Sequence, residues 1–134
     1  MEFEIKNKWH GNILFTLETD SLKMALEAGV KQYADLKYAN LEGANLECAN
    51  LGGANLEYAY LKGANLKYAN LEGADLEGAH LKYADLEGAH LNGAHLKGAY
   101  LNGAYLEGAY LKGATLEGAH LKYADLDGAH HEGA

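Results

Sequence analysis

Six of the seven histidines crowd the C-terminal half, at His80, His90, His95, His120, His130 and His131, with His10 apart from them. Clustered imidazoles suggest metal binding, which needs ligands converging to about 2 Å from one ion. The nineteen carboxylates could supply acid–base pairs. Nucleophiles are scarce: Cys48 is the only cysteine and Ser21 the only serine. No glycine-rich phosphate loop and no zinc-ligand spacing occurs. Whether any of these groups can act together depends on the elements that carry them.

Those elements follow a beat of five. Alanine recurs at every fifth position from Ala34 to Ala134, and leucine two residues after each from Leu36 to Leu126, with His131 in the last leucine slot. On an α-helix five residues advance roughly 500°, so successive leucines would drift around the cylinder. The frequent glycines would also cost a helix about 1 kcal/mol each. In a flat strand an odd spacing sends successive leucines to opposite faces. The pattern works if each unit is a very short strand followed by a corner. Alanine and leucine, two apart, then both face inward. Glycine at the second turn position, as at Gly43, Gly63 and Gly73, supplies the positive φ of a type II turn.

Charge indicates how many units close one coil, because stacked neighbours favour opposite signs. Among the residues after leucine, a spacing of 20 gives seven opposite and four like pairs, whereas a spacing of 15 gives four and seven. Lys37 over Glu57, Glu42 over Lys62 and Lys67 over Glu87 are examples of the first register. Tyr38 over Tyr58 and Cys48 over Tyr68 agree with it. The count predicts four sides.

These units, such as Ala44-Asn45-Leu46-Glu47, closely resemble the pentapeptide-repeat family, whose motif is Ala-(Asp/Asn)-Leu-X-X. The resemblance runs over residues 34 to about 133. It implies an all-β solenoid, a right-handed quadrilateral β-helix of about five coils, roughly 24 Å long at strand spacing. It also implies that the C-terminal coil can pair end to end with a second copy. The candidate edge for such a homodimer is Leu116, Leu121, Leu126 and His131. Some family members are acidic rods that bind type II topoisomerases in place of DNA.

Residues 1–33 are not repetitive. Phe3, Ile5 and Trp9 lead into a His10-Gly11-Asn12 turn and then Ile13 to Leu17, which predicts a β-hairpin. Asp20 or Ser21 then caps a short helix bearing Leu22, Met24, Ala25, Leu26 and Val30, ending near Gln32. This segment is expected to cover the first coil, since a solenoid must hide its open end.

On four sides the candidate chemistry separates. His80 and His120 share one side, His90 and His130 another, and same-side pairs lie two coils or about 10 Å apart, too far to share a metal. Tyr60, His80, Tyr100 and His120 form one aromatic ladder, a stabilising stack or a flat recognition surface. Asp35, Asn45, Asn50 and Asn55 are expected to hydrogen-bond backbone at the corners. The side of Leu46 and Leu86 sums to −5, and its Asp85, Glu87, Glu107, Asp125 and Asp127 are the candidate interaction face. The side of Lys62, Lys82 and Lys122 sums to +2.

The formal net charge of −8 argues against direct nucleic-acid or anionic-lipid binding and suits basic partners. A lone cysteine, no apolar span and an acidic N-terminus point to a cytoplasmic protein without a membrane segment. No cofactor, metal or catalytic residue is expected, because a convex rod offers no water-excluding cleft. The expected function is a noncatalytic protein-interaction or scaffold module. A topoisomerase-directed DNA mimic and a purely structural domain are the alternatives. B-DNA would carry about 14 charges over this length, and the repeats carry a net −7.

Overall fold

The computed structural model describes residues 1–134. From Asp35 onward the backbone repeats every twenty residues. Parallel bridges join Asp35–Asn55–Asp75–His95–Thr115, Asn40–Tyr60–His80–Tyr100–His120, Asn45–Asn65–Asp85–Tyr105–Asp125 and Asn50–Asn70–His90–Tyr110–His130. These four ladders are the four sides of a β-helical solenoid. Each rung is a single bridging residue, so a side is as short as a strand can be before the chain turns.

The hydrogen-bond inventory of one unit explains why five residues suffice. In Asn65-Leu66-Lys67-Tyr68-Ala69, the N–H groups of Leu66 and Tyr68 donate to Asp85 and Glu87 of the next coil, at 2.7 and 2.9 Å. Asn65 N–H donates back to Ala44 at 2.9 Å, and Ala69 N–H closes the turn on Leu66 at 3.0 Å. The remaining N–H, of Lys67, donates to the side-chain Oδ1 of Asn65 at 3.1 Å. Every amide in the unit has a partner, as a packed backbone requires. The pattern is directional. Each unit sends two N–H groups toward the C-terminal neighbour and accepts one from it.

The turns need a positive φ at their second position, and glycine supplies it at Gly43, Gly63 and Gly73 with φ of 66–67°. Tyrosine and cysteine also occupy that position. Tyr38, Tyr58, Tyr68, Tyr83, Tyr123 and Cys48 all stand at φ between 56 and 64°, a region that costs an L-residue roughly 1 kcal/mol or more.

Inside, Leu36 to Leu111 leave at most 1% of their surface exposed, and no polar or charged residue is buried. The core is one continuous column into which Ile5 and Leu26 of the N-terminal segment insert. That segment is strand β1 (Glu2–Lys6), strand β2 (Ile13–Glu18) and helix α1 (Leu22–Lys31). The strands are antiparallel, Glu2 opposite Glu18 and Ile5 opposite Phe15. Their turn is held by Asn7, whose Oδ1 accepts from the N–H groups of Trp9 and His10 at 2.8 and 3.0 Å. Ser21 caps α1 by accepting from Met24 N–H at 3.1 Å.

The segment also satisfies the first coil's edge. Asn40 N–H donates to Lys6 and Lys8 N–H to Tyr38, both at 2.8 Å. On another side no earlier coil exists to receive Asn50 N–H, and the carboxylate of Glu27 on α1 accepts it at 2.7 Å. At the other end burial fades: Leu116 and Leu121 are half-covered, Leu126 is 38% exposed and His131 is exposed.

The gradient gives a measurable contrast. Leu86→Ala opens a cavity in the closed column and is expected to lower unfolding free energy by about 2–5 kcal/mol. Leu126→Ala, at the open end, should cost less than about 1 kcal/mol by the same rule. Urea denaturation of the two variants measures both.

Candidate functional site

The sides differ in what they carry, and the ladders hold each side chain at a fixed height. On the second side Trp9 meets Tyr60 edge-on at 5.4 Å, with Lys8 Nζ 5.1 Å from the Tyr60 ring centre. Below, the rings of Tyr60, His80, Tyr100 and His120 stack at 4.2, 4.8 and 4.7 Å. A second stack, His90, Tyr110 and His130, runs down the fourth side at 4.8 and 4.9 Å. In each stack a tyrosine separates the histidines. The two imidazoles therefore cannot converge on one ion, and they present edges rather than faces to solvent.

Before leucine, Asp35 and Asn45 accept the backbone N–H two residues on through Oδ1, as expected, but Asn50 and Asn55 do not: Asn50 Oδ1 accepts from the Asn70 side chain at 3.3 Å, and the buried Asn55 Oδ1 has no partner. Asp75, Asp85 and Asp125 make the same bond to backbone at 3.0 to 3.1 Å. The histidine and tyrosine positions give up that bond for a ring contact. A stacked pair contributes about 0.5–1.5 kcal/mol, comparable to the bond it replaces.

The side of Leu46 and Leu86 is divided. Lys67 Nζ sits 3.8 Å from Asp85 and 3.5 Å from Glu87, neutralising the upper part of the candidate face. Lys67 is correspondingly raised, chiefly by Asp85 and then by Glu87. No ion pair involves Glu107, Asp125 or Asp127. Glu107 is held above the ordinary carboxylate range, first by a hydrogen bond shared with Asp125 and then by the charge of that neighbour. On this side the acids without an ion pair are thus Glu47 in the first coil and Glu107, Asp125 and Asp127 in the last two.

On the opposite side, oxygens of Glu57, Asp75 and Glu77 lie within 4.8 Å of one another. Sequence reasoning did not single out this trio, although Glu57 and Glu77 are a like-charged pair at the coil spacing of 20. Lys37 lies 3.4 Å from Glu57. Its ammonium is raised first by the Glu57 charge. Glu57 is itself raised because its hydrogen bond to Asp75 outweighs Lys37. The sequence pairing of Glu42 with Lys62 gives way to a tertiary one: Lys8 of the N-terminal segment takes Glu42 at 3.2 Å. Cys48 is an exposed free thiol.

Corners add a further feature. The Tyr58 ring packs its Cδ1–Cε1 edge against Gly78, the Tyr68 ring against Gly88 and the Tyr83 ring against Gly103, where a Cβ would come within 2.4 to 2.6 Å of ring carbons. Glycine there serves close approach as well as the turn.

Four ladders, a leucine column and outward-facing polar groups define a β-helical solenoid protein. The chain belongs to the pentapeptide-repeat family, described as Pentapeptide repeats, whose pattern matches residues 34–68, 59–98 and 99–130 in eight copies. It is similar to a pentapeptide repeat protein, Rfr23, from the cyanobacterium Cyanothece 51142. Identity is 45% and the TM-score 0.64, over 64% of this chain and 58% of that one. It is also similar to a pentapeptide repeat protein from the Arabidopsis thaliana thylakoid lumen, at 34% identity and TM-score 0.57, over 71% of this chain and 63% of that one. The chain thus spans less than two thirds of either. A comparison with proteins of curated function found no match. No helix is long and apolar enough to cross a membrane.

Two predictions come from these contacts. Burial between its neighbours, with Lys82 adding positive charge, holds the His80 imidazole below its ordinary value of 6.5. The unfolded chain therefore binds the proton first, so stability is greatest above that value and falls as pH drops through it. Thermal midpoints should decline from about pH 7.5 to about pH 5.5, and His80→Asn should flatten part of that slope. Gly78→Ala and Gly73→Ala both place alanine at positive φ, at 65 and 66°, but only the first strikes a ring. Gly78→Ala should therefore be the more destabilising, and adding Tyr58→Ala should remove the difference in urea midpoint.

Proposed function

We propose that this chain is a noncatalytic interaction module, an acidic rod that meets a protein with a basic surface on the side of Glu107, Asp125 and Asp127. The observation that carries the proposal is the uneven neutralisation of charge. Lysines pair with Glu42, Glu57, Asp85 and Glu87, while the three acids of the last two coils crowd each other without one. Such a cluster is destabilised by self-repulsion and relieved by an external cation. The interior, filled with leucine and alanine, leaves the outer surface as the part that can meet a partner. The free, exposed Cys48 is compatible with a reducing cytoplasm. The winding is taken as right-handed and quadrilateral, as the family resemblance implies.

A second copy is the other partner proposed. Leu116, Leu121 and Leu126 line an apolar mouth of about 240 Å³ at the C-terminal end, with His131 on its rim. Backbone polarity limits how two such ends could join. Each presents two N–H groups per unit for one carbonyl, so a symmetric pair would set donors against donors. Leucine contact would have to hold it. The topoisomerase-directed mimic is the less favoured reading, because the repeats carry a net −7, about half the charge of B-DNA over this length, and lysines interrupt it.

Glu107→Lys with Asp127→Lys should abolish capture of a partner that the unaltered chain retains at moderate salt, while leaving the thermal midpoint within about 0.5 kcal/mol of stability. Equal capture by both proteins would remove the proposed side. In a gyrase supercoiling assay the unaltered chain is expected to leave the enzyme uninhibited at micromolar concentration. Inhibition would restore the mimic.

A further inference from the structure

Two diagonally opposite corners of the rod carry the same notch. One is built from Tyr58, Glu77, Gly78, His80, Lys97, Gly98 and Tyr100, and encloses about 260 Å³. The other repeats it ten residues on, from Tyr68, Glu87, Gly88, His90, Glu107, Gly108 and Tyr110, and encloses about 270 Å³. In both, the upper glycine is roofed by a tyrosine ring: a Cβ on Gly78 or Gly88 would strike Tyr58 or Tyr68 at 2.4 to 2.5 Å. In both, the lower glycine is bare, with nothing within 4 Å of the position its Cβ would take at Gly98 or Gly108. The fold thus shows what an occupied glycine seat looks like and, one coil below, leaves an equivalent seat open. A stacked imidazole and phenol wall each seat, His80–Tyr100 and His90–Tyr110, both at 4.8 Å.

The two notches differ in charge at one position. Lys97 stands in the first where Glu107 stands in the second. Glu87 and Glu107 are stacked like charges at the coil spacing of 20. Lys67 approaches Glu87 from the N-terminal side, at 3.5 Å, and makes no pair with Glu107. A group that fills the Gly108 seat should therefore be thin and planar, to pack against glycine as the Tyr68 ring packs against Gly88, and cationic, to sit between the two carboxylates. Guanidinium has both properties. It is planar, stacks on aromatic groups and can bond a carboxylate through two donors, whereas an ammonium is a compact, strongly hydrated point charge. The chain contains no arginine, its eleven basic side chains all being lysine, so an arginine here must come from another protein.

We propose that the notch at Gly88 and Gly108 is an arginine seat, taking one arginine side chain of the basic partner between Glu87 and Glu107 and packing it against Gly108. This rests on the acidic-side reading above and adds the residue of the partner that is recognised. The Gly98 notch, equal in shape but carrying Lys97, is the built-in control.

N-acetyl-arginine methylamide and N-acetyl-lysine methylamide are titrated separately into the full ¹⁵N-labelled chain. Arginine is expected to produce saturable amide shifts at Gly88 and Gly108, at least about fivefold larger than at Gly78 and Gly98, and the lysine compound should not reproduce that preference. Glu107→Gln should abolish the response without moving the thermal midpoint. Lys97→Glu should create a matching response at Gly98. Equal shifts at the two corners, an equal response to lysine, or a response that survives Glu107→Gln would each overturn the seat. The capture experiment separates this from the broader proposal. A partner still lost on reversal of Glu107 and Asp127, with no arginine preference at Gly108, would leave the acidic side standing and remove only the seat.

Discussion

The structure depends on a backbone that finds its hydrogen-bond partners one coil away. Leucine and the second turn residue donate forward to residues nineteen positions on, while the bridging residue donates back to the preceding coil. Only the tight turn, from alanine to leucine, is internal to a unit. A single coil would leave most of its amides to water, so each exists because its neighbours do, as in solenoids generally. The leucine column follows from the same register, since stacking identical units places leucine on leucine along the axis. The two ends are then the weak points. At the first, β1 and Glu27 stand in for a missing coil by offering the carbonyl and carboxylate that the first edge needs.

That register also governs the surface. Stacked side chains lie close enough for each identity to constrain the next, and the rod uses three solutions: ion pairs, Asx bonds to the corner backbone, and ring stacks. The trade between the last two is visible where His80, Tyr100 and His120 replace asparagine. The Asx acceptor for the following N–H is lost and a ring contact is gained. Charge repulsion survives where a glutamate meets the aspartate of the next coil, at Glu107 with Asp125 and at Glu57 with Asp75, although both aspartates keep their Asx bonds. The Glu57 cluster has Lys37 beside it. The Glu107 cluster has no such lysine, and the proposed binding side follows from that difference.

Much of this was legible in the residues. Twenty-one alanines at a strict spacing of five, the leucine two places on and the glycine-rich corners dictate short strands, inward apolar groups and turns of positive φ. The preference for opposite charges at a spacing of 20 predicted four sides, and the bridges have that spacing. Asp20 or Ser21 before an amphipathic run marked the helix start, of which the structure uses Ser21, and Gly11 marked the hairpin turn. Less legible was the tolerance of the corners for tyrosine. A β-turn rule asks for glycine, yet at the corners Tyr38, Tyr58, Tyr68, Tyr83 and Tyr123 accept positive φ, as does Tyr33 just after α1. Three of them, Tyr58, Tyr68 and Tyr83, pack their rings against a glycine twenty residues later.

The sequence by itself determined the beat, the interior and the side on which each outward residue stands. A strict period leaves only one consistent way to bury every leucine. Tertiary structure alone decided which of several possible partners each charged group takes. It moved Glu42 from Lys62 to Lys8, set Lys67 between Asp85 and Glu87, and left Glu107 without a cation. Periodicity fixes position along and around the rod, but ion pairing is settled by side-chain reach over a few ångströms. It also depends on the nonperiodic segment that folds back onto the first coil, and no repeat pattern encodes either.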